Sequence, residues 1–87
     1  MWHFTKHVQE RMIERGYAQK EVLMVLDGEV PSLIYASPKE NTVDLYFGKV
    51  GNKFMMIPVD RTNQSIITIR AMRKDEKELY MKEVNND

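Results

Sequence analysis

The change in hydrophobic periodicity along the chain is the feature that most constrains its fold. Near the N-terminus apolar residues recur at helical spacing, as in Phe4, Val8 and Met12, which is typical of a helix with one buried face. In residues 42–47, apolar residues alternate with more polar ones, which is typical of a half-buried strand. The pattern therefore predicts helices followed by a sheet.

Two helices are predicted before the first strand. Thr5 is suited to cap the first helix, and Gly16 follows that helix as a stop signal. The second helix is predicted for residues 19–27, with Gly28 as its terminator. Because only residues 16–18 separate the two helices, we expect a helical hairpin.

Strand and turn signals follow the hairpin. The predicted strands are residues 33–35, 43–47, 54–59 and 66–72, and the closing helix is residues 75–83. Gly51 and Asn52 make a tight turn, and Pro58 marks an edge or a bulge. We therefore predict one α+β domain over residues 1–87, with the N-terminal helical hairpin packed on a three- to four-stranded antiparallel sheet and a C-terminal helix. The predicted core between hairpin and sheet consists of Val22, Leu26, Leu45, Phe47, Ile57, Ile67 and Ile69.

Composition narrows the cellular setting and the class of partner. The 87-residue chain has no cysteine, which fits a reducing compartment. The longest apolar run, residues 22–26, is far too short to span a membrane, and the N-terminus lacks the apolar core of a signal peptide. We therefore expect a cytoplasmic protein. The 13 basic and 13 acidic residues balance, but residues 49–74 contain six basic residues and a single acidic one, so this segment can bind an anionic partner.

The last predicted strand places a hydroxyl and a guanidinium on one face. Because strand residues alternate faces, Thr68 and Arg70 point together, away from Ile67 and Ile69. Such a pair can bind a phosphate. An ordinary solvated strand face explains the same residues, and this strand alone does not decide between the two interpretations.

Three basic residues border the apolar stripe of the first helix instead of lying opposite it. At ~100° per residue, His7, Arg11 and Arg15 interleave with Val8 and Met12. The two arginines could extend past the buried face to reach water. Alternatively, His7 and Arg11 face a ligand at the junction of helix and sheet, where a histidine can transfer protons. Spacing leaves both interpretations open.

His3 and His7 stand four residues apart, a spacing that is compatible with two metal ligands on one helical face. No third ligand follows at a known spacing, and His3 is expected to precede the helix. We therefore predict neither a metal nor another cofactor.

Both ends of the chain carry motifs that resemble known families. Residues 5–7, 11–16 and 21–22 read Thr-Lys-His, Arg-Met-Ile-Glu-Arg-Gly and Glu-Val. They are similar to the opening of a family of small bacterial domains of unknown function with a His-x3-Arg-Met-x-Glu-Arg-Gly helix. Residues 67–76 together with Tyr80 resemble the close of the BrnT-type toxins. Both groups are regarded as relatives of the RelE/ParE-like toxins, so the resemblance implies a RelE-like fold and a bacterial toxin–antitoxin system.

The favoured hypothesis is a toxin-like, metal-independent endoribonuclease that a cognate antitoxin protein holds inactive. Cutting RNA without a metal needs a base, an acid and cations that stabilise the phosphoryl charge. His7 is the predicted base or acid, Arg11 and Arg70 bind the phosphoryl group, Thr68 positions it, and Tyr80 is the second candidate proton donor. The predicted RNA-binding residues are Arg15, Lys49, Arg73 and Lys74. This hypothesis requires His7 and Arg11 to share one cleft with Thr68 and Arg70.

Two other classes of function fit the same residues. A non-catalytic RelE-like module would bind a protein partner or RNA without cleaving it, and the zero net charge favours this alternative. A structural or phage-borne accessory domain is the third. Cleavage of RNA would distinguish the endoribonuclease from both alternatives, and a salt dependence of binding would identify nucleic acid as the ligand.

Overall fold

Three helices and six strands build the domain. The computed structural model describes residues 1–85, so residues 86 and 87 of the predicted domain lie outside the described residues. In chain order the elements are β1 (His3–Phe4), α1 (Lys6–Arg15), α2 (Gln19–Leu26), β2 (Ser32–Ala36), β3 (Val43–Val50), β4 (Lys53–Asp60), β5 (Ser65–Ile66), β6 (Arg70–Ala71) and α3 (Lys74–Val84). The mixed α+β class is confirmed. The predicted helix-first hairpin arrangement is not matched, because a short strand precedes α1 and the sheet has six strands instead of three or four.

All six strands belong to one sheet. Its order is β1–β5–β4–β3–β2, and β6 also pairs with β4. The long antiparallel hairpin of β3 and β4 forms its centre. β1 pairs in parallel with β5, and the His3 N–H donates to the Gln64 carbonyl at 2.9 Å. A strand of two residues is too short to show alternation, so the sequence pattern does not predict β1.

Local capping residues define both ends of α1 and the start of α2. Thr5 Oγ1 accepts a hydrogen bond from the Val8 N–H at 3.2 Å, which caps α1 as predicted. Gly16 closes α1 in the left-handed conformation with a φ of 78°. The Glu21 carboxylate accepts the Ala18 N–H at 2.9 Å at the start of α2. Within residues 1–85, no helix is long and apolar enough to cross a membrane.

The sheet is covered on both faces, so the domain has two cores. The hairpin core lies under α1 and α2 and contains Val8, Met12, Val22, Val25, Leu26, Met55, Ile57, Val59, Ile66 and Ile69. The α3 core lies on the other face and contains Phe47, Met56, Met72 and Tyr80, with Leu45 packed against it. The prediction of a single core is therefore wrong for Leu45 and Phe47. Phe47 pairs with Met56 in the β3–β4 register, so the two side chains share the face that α3 covers.

α2 packs closely against β3 at Gly48. A Cβ atom built at Gly48 would lie 2.6 Å from both γ-carbons of Val25. Real Cβ contacts are longer than this, so a side chain at position 48 would push α2 away from β3. Glycine is therefore required here for packing.

A bulge interrupts the predicted last strand. Val59 pairs with Ile66 and Met56 pairs with Arg70, so the three residues 67–69 oppose only two residues of β4. One extra residue in one strand is the definition of a β-bulge. The continuous strand predicted for residues 66–72 is therefore wrong.

The bulge changes which side chains reach the core. Ile66 and Ile69 both enter the hairpin core, whereas Ile67 is 42% exposed, which corrects its predicted core position. Pro58 lies opposite this segment, and its carbonyl accepts the Ile67 N–H at 2.9 Å. Because proline has no N–H to donate, a regular ladder cannot continue there, and the predicted meaning of Pro58 is confirmed.

Candidate functional site

Two arginines cap the outer edge of β6. The Arg15 guanidinium donates a hydrogen bond to the Ile69 carbonyl, and Arg70 Nη1 donates to the Ala71 carbonyl at 2.9 Å. Carbonyls two residues apart on a strand point the same way. The structure therefore brings Arg15 and Arg70 to the same sheet edge, where both guanidiniums bind backbone oxygens.

Arg70 is also held by a carboxylate of α3. Its Nη1 and Nη2 donate to the two oxygens of Glu76 at 2.8 and 2.9 Å. The same carboxylate accepts the Arg73 N–H at 2.7 Å. The hydrogen bonds from Arg70 lower the pKa of Glu76 from 4.5 to about 2, with a smaller contribution from the Arg73 N–H, and Glu76 in turn raises the pKa of Arg70. The planar fork predicted to bind a phosphate is therefore filled by a protein carboxylate.

His7 and Arg11 lie on α1, on the other side of the sheet. The His7 side chain is exposed, and Arg11 forms a loose surface pair with Glu14, with 3.8 Å between Nη1 and Oε2. Arg70 faces α3 through its pair with Glu76. The structure therefore does not bring these residues into the shared cleft that the ribonuclease hypothesis requires, because α1 and α3 cover opposite faces.

The remaining two catalytic candidates, Tyr80 and Thr68, lie in different parts of the fold. Tyr80 is 3% exposed in the α3 core, and its hydroxyl donates to the Pro31 carbonyl. Burial raises the pKa of Tyr80, so the hydroxyl keeps its proton and fastens α3 to the segment before β2. Thr68 lies in the bulge segment and is half-buried. The catalytic roles of these residues stay predictions.

A basic cluster with an aromatic centre lies on the α3 face of the sheet. The Lys49 and Lys77 ammonium groups lie 5.1 and 5.4 Å from the centroid of the Phe54 ring, within the range of cation–π attraction. Tyr80 fixes that ring edge-on, with 6.2 Å between the centroids and 90° between the planes. One aromatic side chain thus holds two cations close together.

Arg73 and Lys74 extend this cluster at the start of α3. They precede Lys77 by four and three residues, a spacing that places them on the same side of the helix. We call Lys49, Phe54, Arg73, Lys74 and Lys77 the basic patch. In the described part of the chain, none of its four cations forms an ion pair. Their charges are therefore available to an anionic ligand.

Phe54 and Lys77 belong to the patch but are missing from the sequence prediction. The hairpin turn at Gly51 and Asn52 already places Lys49 opposite Phe54, and the structure has this register. Helical spacing likewise aligns Lys77 with Lys74. The sequence signals for Phe54 and Lys77 lie in two separate elements, and only the packing of α3 on the sheet brings these two residues together.

Metal-ligating side chains do not cluster in the described residues. Across residues 1–85, no three histidine, cysteine, aspartate or glutamate side chains lie close enough to hold a metal ion. His3 lies in β1 and His7 in α1. The arrangement that the structure presents is suited to binding an anion at the basic patch.

Comparisons of the chain with protein-family models, curated proteins and solved structures find no match.

Proposed function

We propose that this domain is a non-catalytic, RelE-like module that binds RNA through the basic patch. The observation that carries the proposal is the contrast between two sets of cations. Those of the basic patch form no ion pair in residues 1–85, whereas Arg11 and Arg70 are paired with glutamates and Arg15 is bound to a carbonyl. The two helices that precede most of the sheet support a kinship with the RelE/ParE-like fold.

Charge and shape both favour a polyanion as the ligand. When unpaired surface lysines contact the phosphates of a nucleic acid, they displace the counterions condensed on it, and this release drives binding. The patch draws on β3, β4 and α3, and its cations Arg73, Lys74 and Lys77 are exposed, so more than one phosphate of a single backbone can contact it. Phe54 restricts where Lys49 and Lys77 can lie, which reduces the entropy lost when both contact the ligand.

The experiment measures binding of fluorescently labelled single-stranded RNA by anisotropy over a series of salt concentrations. The test variant is Lys49→Ala with Lys77→Ala, and the matched control is Lys6→Ala with Lys20→Ala, two exposed lysines of the helical hairpin. Each lost phosphate contact should reduce the slope of log K against log salt by about 0.7. The test variant should therefore lose about 1.4 from the slope, while the control keeps the wild-type value.

Three outcomes would contradict the proposal. Wild-type protein without salt-dependent RNA binding would exclude the ligand class. Equal losses in the test and control variants would show that positive charge in general is responsible, not the patch. Tighter binding to DNA of the same sequence would show that RNA is not the preferred polymer.

A metal-independent endoribonuclease of a toxin–antitoxin system, with its antitoxin as protein partner, is the second candidate. The exposure of His7 one helical turn before Arg11 favours it. RNA incubated with the protein in EDTA should then be cleaved, and His7→Ala should abolish both cleavage and growth arrest on expression. Intact RNA with folded wild-type protein would leave the binding module as the function.

A further inference from the structure

β2 is an open edge of the sheet. All five of its residues, Ser32–Ala36, pair with β3 on one side. Its other side has no strand partner in residues 1–85, because β2 ends the strand order. The sequence of β2, Ser-Leu-Ile-Tyr-Ala, contains neither a charge nor a proline. Edge strands usually carry such residues because these residues prevent pairing with another chain.

The opposite edge of the same sheet is protected. There the outward carbonyls of Ile69 and Ala71 accept hydrogen bonds from Arg15 and Arg70, and β1 covers β5. Charged side chains over an edge and an edge strand of only two residues, such as β1, both discourage a second sheet from pairing. The contrast between the two edges indicates that β2 is left open for a partner.

Apolar side chains surround the open edge. Ile34 is 55% exposed, Tyr35 is 41% exposed and Leu79 of α3 is 45% exposed. Between β2 and α3 lies a groove of about 60 Å³ lined by Leu33, Tyr35, Phe47, Glu76, Leu79 and Tyr80. An exposed edge strand beside an apolar groove is suited to adding a strand from another chain.

We propose that the partner is a second copy of this chain, paired antiparallel through β2 about a twofold axis at Ile34. In this register Ile34 of one copy lies directly opposite Ile34 of the other. Leu33 lies opposite Tyr35 of the second copy, and Ser32 lies opposite Ala36. The apolar residues at the centre of β2 thereby contact one another, and the small residues at its ends meet. This self-complementarity is what a twofold interface requires.

The backbone groups of β2 fit the same register. The Ser37 N–H donates to the Val43 carbonyl at 2.9 Å at the end of the β2–β3 ladder. Because hydrogen-bonded and non-hydrogen-bonded positions alternate along an antiparallel pair, the N–H and C=O groups of Ser32, Ile34 and Ala36 point away from β3. A twofold axis at Ile34 pairs these groups with the same groups of the second copy.

The pairing also places a side chain of the second copy beside the groove. Residues opposite each other on antiparallel strands have their side chains on one face. Tyr35 of the second copy therefore lies beside Leu33, which lines the groove. The twofold axis is perpendicular to the sheet, so the two α3 helices lie on the same face of a continuous sheet.

The experiment determines the molar mass by analytical ultracentrifugation from the low micromolar to the millimolar range. Wild-type protein should form a dimer as concentration rises. Ile34→Lys places two like charges opposite each other and should weaken dimerisation by about tenfold or more. Ile67→Lys is the matched control, because Ile67 is also an exposed isoleucine but lies far from β2 in the bulge. It should leave the dimerisation constant unchanged, and both variants should keep the wild-type melting temperature.

A charge-swap experiment tests the register. Ile34→Lys and Ile34→Glu should each dimerise about tenfold or more weakly when alone, since position 34 faces itself across the axis. An equimolar mixture should recover dimers, because lysine then faces glutamate. Wild-type protein that stays monomeric at millimolar concentration would overturn the proposal and leave β2 for a different occupant. Dimerisation that Ile34→Lys does not weaken, or a mixture that remains monomeric, would also overturn it.

Discussion

The Arg70–Glu76 pair should make the stability of this protein depend on pH. Glu76→Gln keeps the size of the side chain and an oxygen that can accept the Arg73 N–H, but removes the negative charge. In the wild type, hydrogen bonds of 2.8 and 2.9 Å from Arg70 lower the pKa of Glu76 from 4.5 to about 2. A carboxyl whose pKa falls on folding stabilises the folded state when it is ionised. The substitution should therefore destabilise the protein at neutral pH.

The size of the effect follows from the pKa. A fall from 4.5 to about 2 corresponds to an upper limit of about 3.4 kcal/mol in the free energy of unfolding. The Arg70 and Glu76 side chains remain 27% and 18% exposed, so water and salt screen the pair. We therefore expect Glu76→Gln to cost about 1–2 kcal/mol. In a domain of this size, each kcal/mol lowers Tm by roughly 4–8 °C.

The dependence on pH distinguishes this ion pair from a general loss of packing. The stabilisation is fully present above 4.5, the usual pKa of a glutamate, and is lost as the pH falls through about 2. Urea unfolding followed by circular dichroism should give the largest difference between wild type and Glu76→Gln at neutral pH. The difference should shrink through this window and disappear in strong acid.

Glu14→Gln is the matched control for this prediction. It removes a pair with 3.8 Å between Arg11 and Glu14, whose side chains are 40% and 60% exposed. Such a surface pair should contribute less than about 0.5 kcal/mol. The reasoning would be refuted if the two glutamine variants were equally stable at neutral pH. It would also be refuted if the deficit of Glu76→Gln persisted in strong acid.

Two further predictions concern packing and the role of a buried hydroxyl. Gly48→Ala should lower the free energy of unfolding by about 1–3 kcal/mol, because its Cβ would lie 2.6 Å from the Val25 side chain. Urea unfolding midpoints check this. The loss should be smaller in a Val25→Ala background, where the side chain that would clash is removed. Tyr80→Phe should cost about 0.5–1.5 kcal/mol through loss of the hydrogen bond to Pro31, with RNA binding unchanged in the anisotropy assay. Ribonuclease activity lost at unchanged Tm would instead make Tyr80 catalytic.

Several features of the fold could be predicted because they depend on near neighbours. The cap at Thr5 and the stop at Gly16 each involve residues within one helical turn. The β3–β4 hairpin follows from alternation around a short turn, and Pro58 signals a bulge through its missing N–H. Local chemistry determines such features, so they can be recognised before the fold is known.

The candidate site was predicted less well, because its residues come from elements distant in sequence. Lys49 was recognised as basic, but its position beside Phe54 and Lys77 depends on α3 packing over β3 and β4. Similarly, Arg70 was predicted to lie on a polar strand face, but it pairs with Met56 of the α3 core and is only 27% exposed. The pattern of one strand does not reveal that Glu76 of the following helix fills its fork.

By itself, the sequence determined the α+β class, the two N-terminal helices and the central strand pair, since periodicity and capping are properties of neighbouring residues. Only the tertiary structure decided which face each core residue occupies. The bulge shifts the alternation between Ile66 and Ile69, and the β3–β4 register turns Phe47 toward α3. The tertiary structure also decided which cations are paired and which are free, because an ion pair depends on the surfaces that meet when helices cover both faces of the sheet.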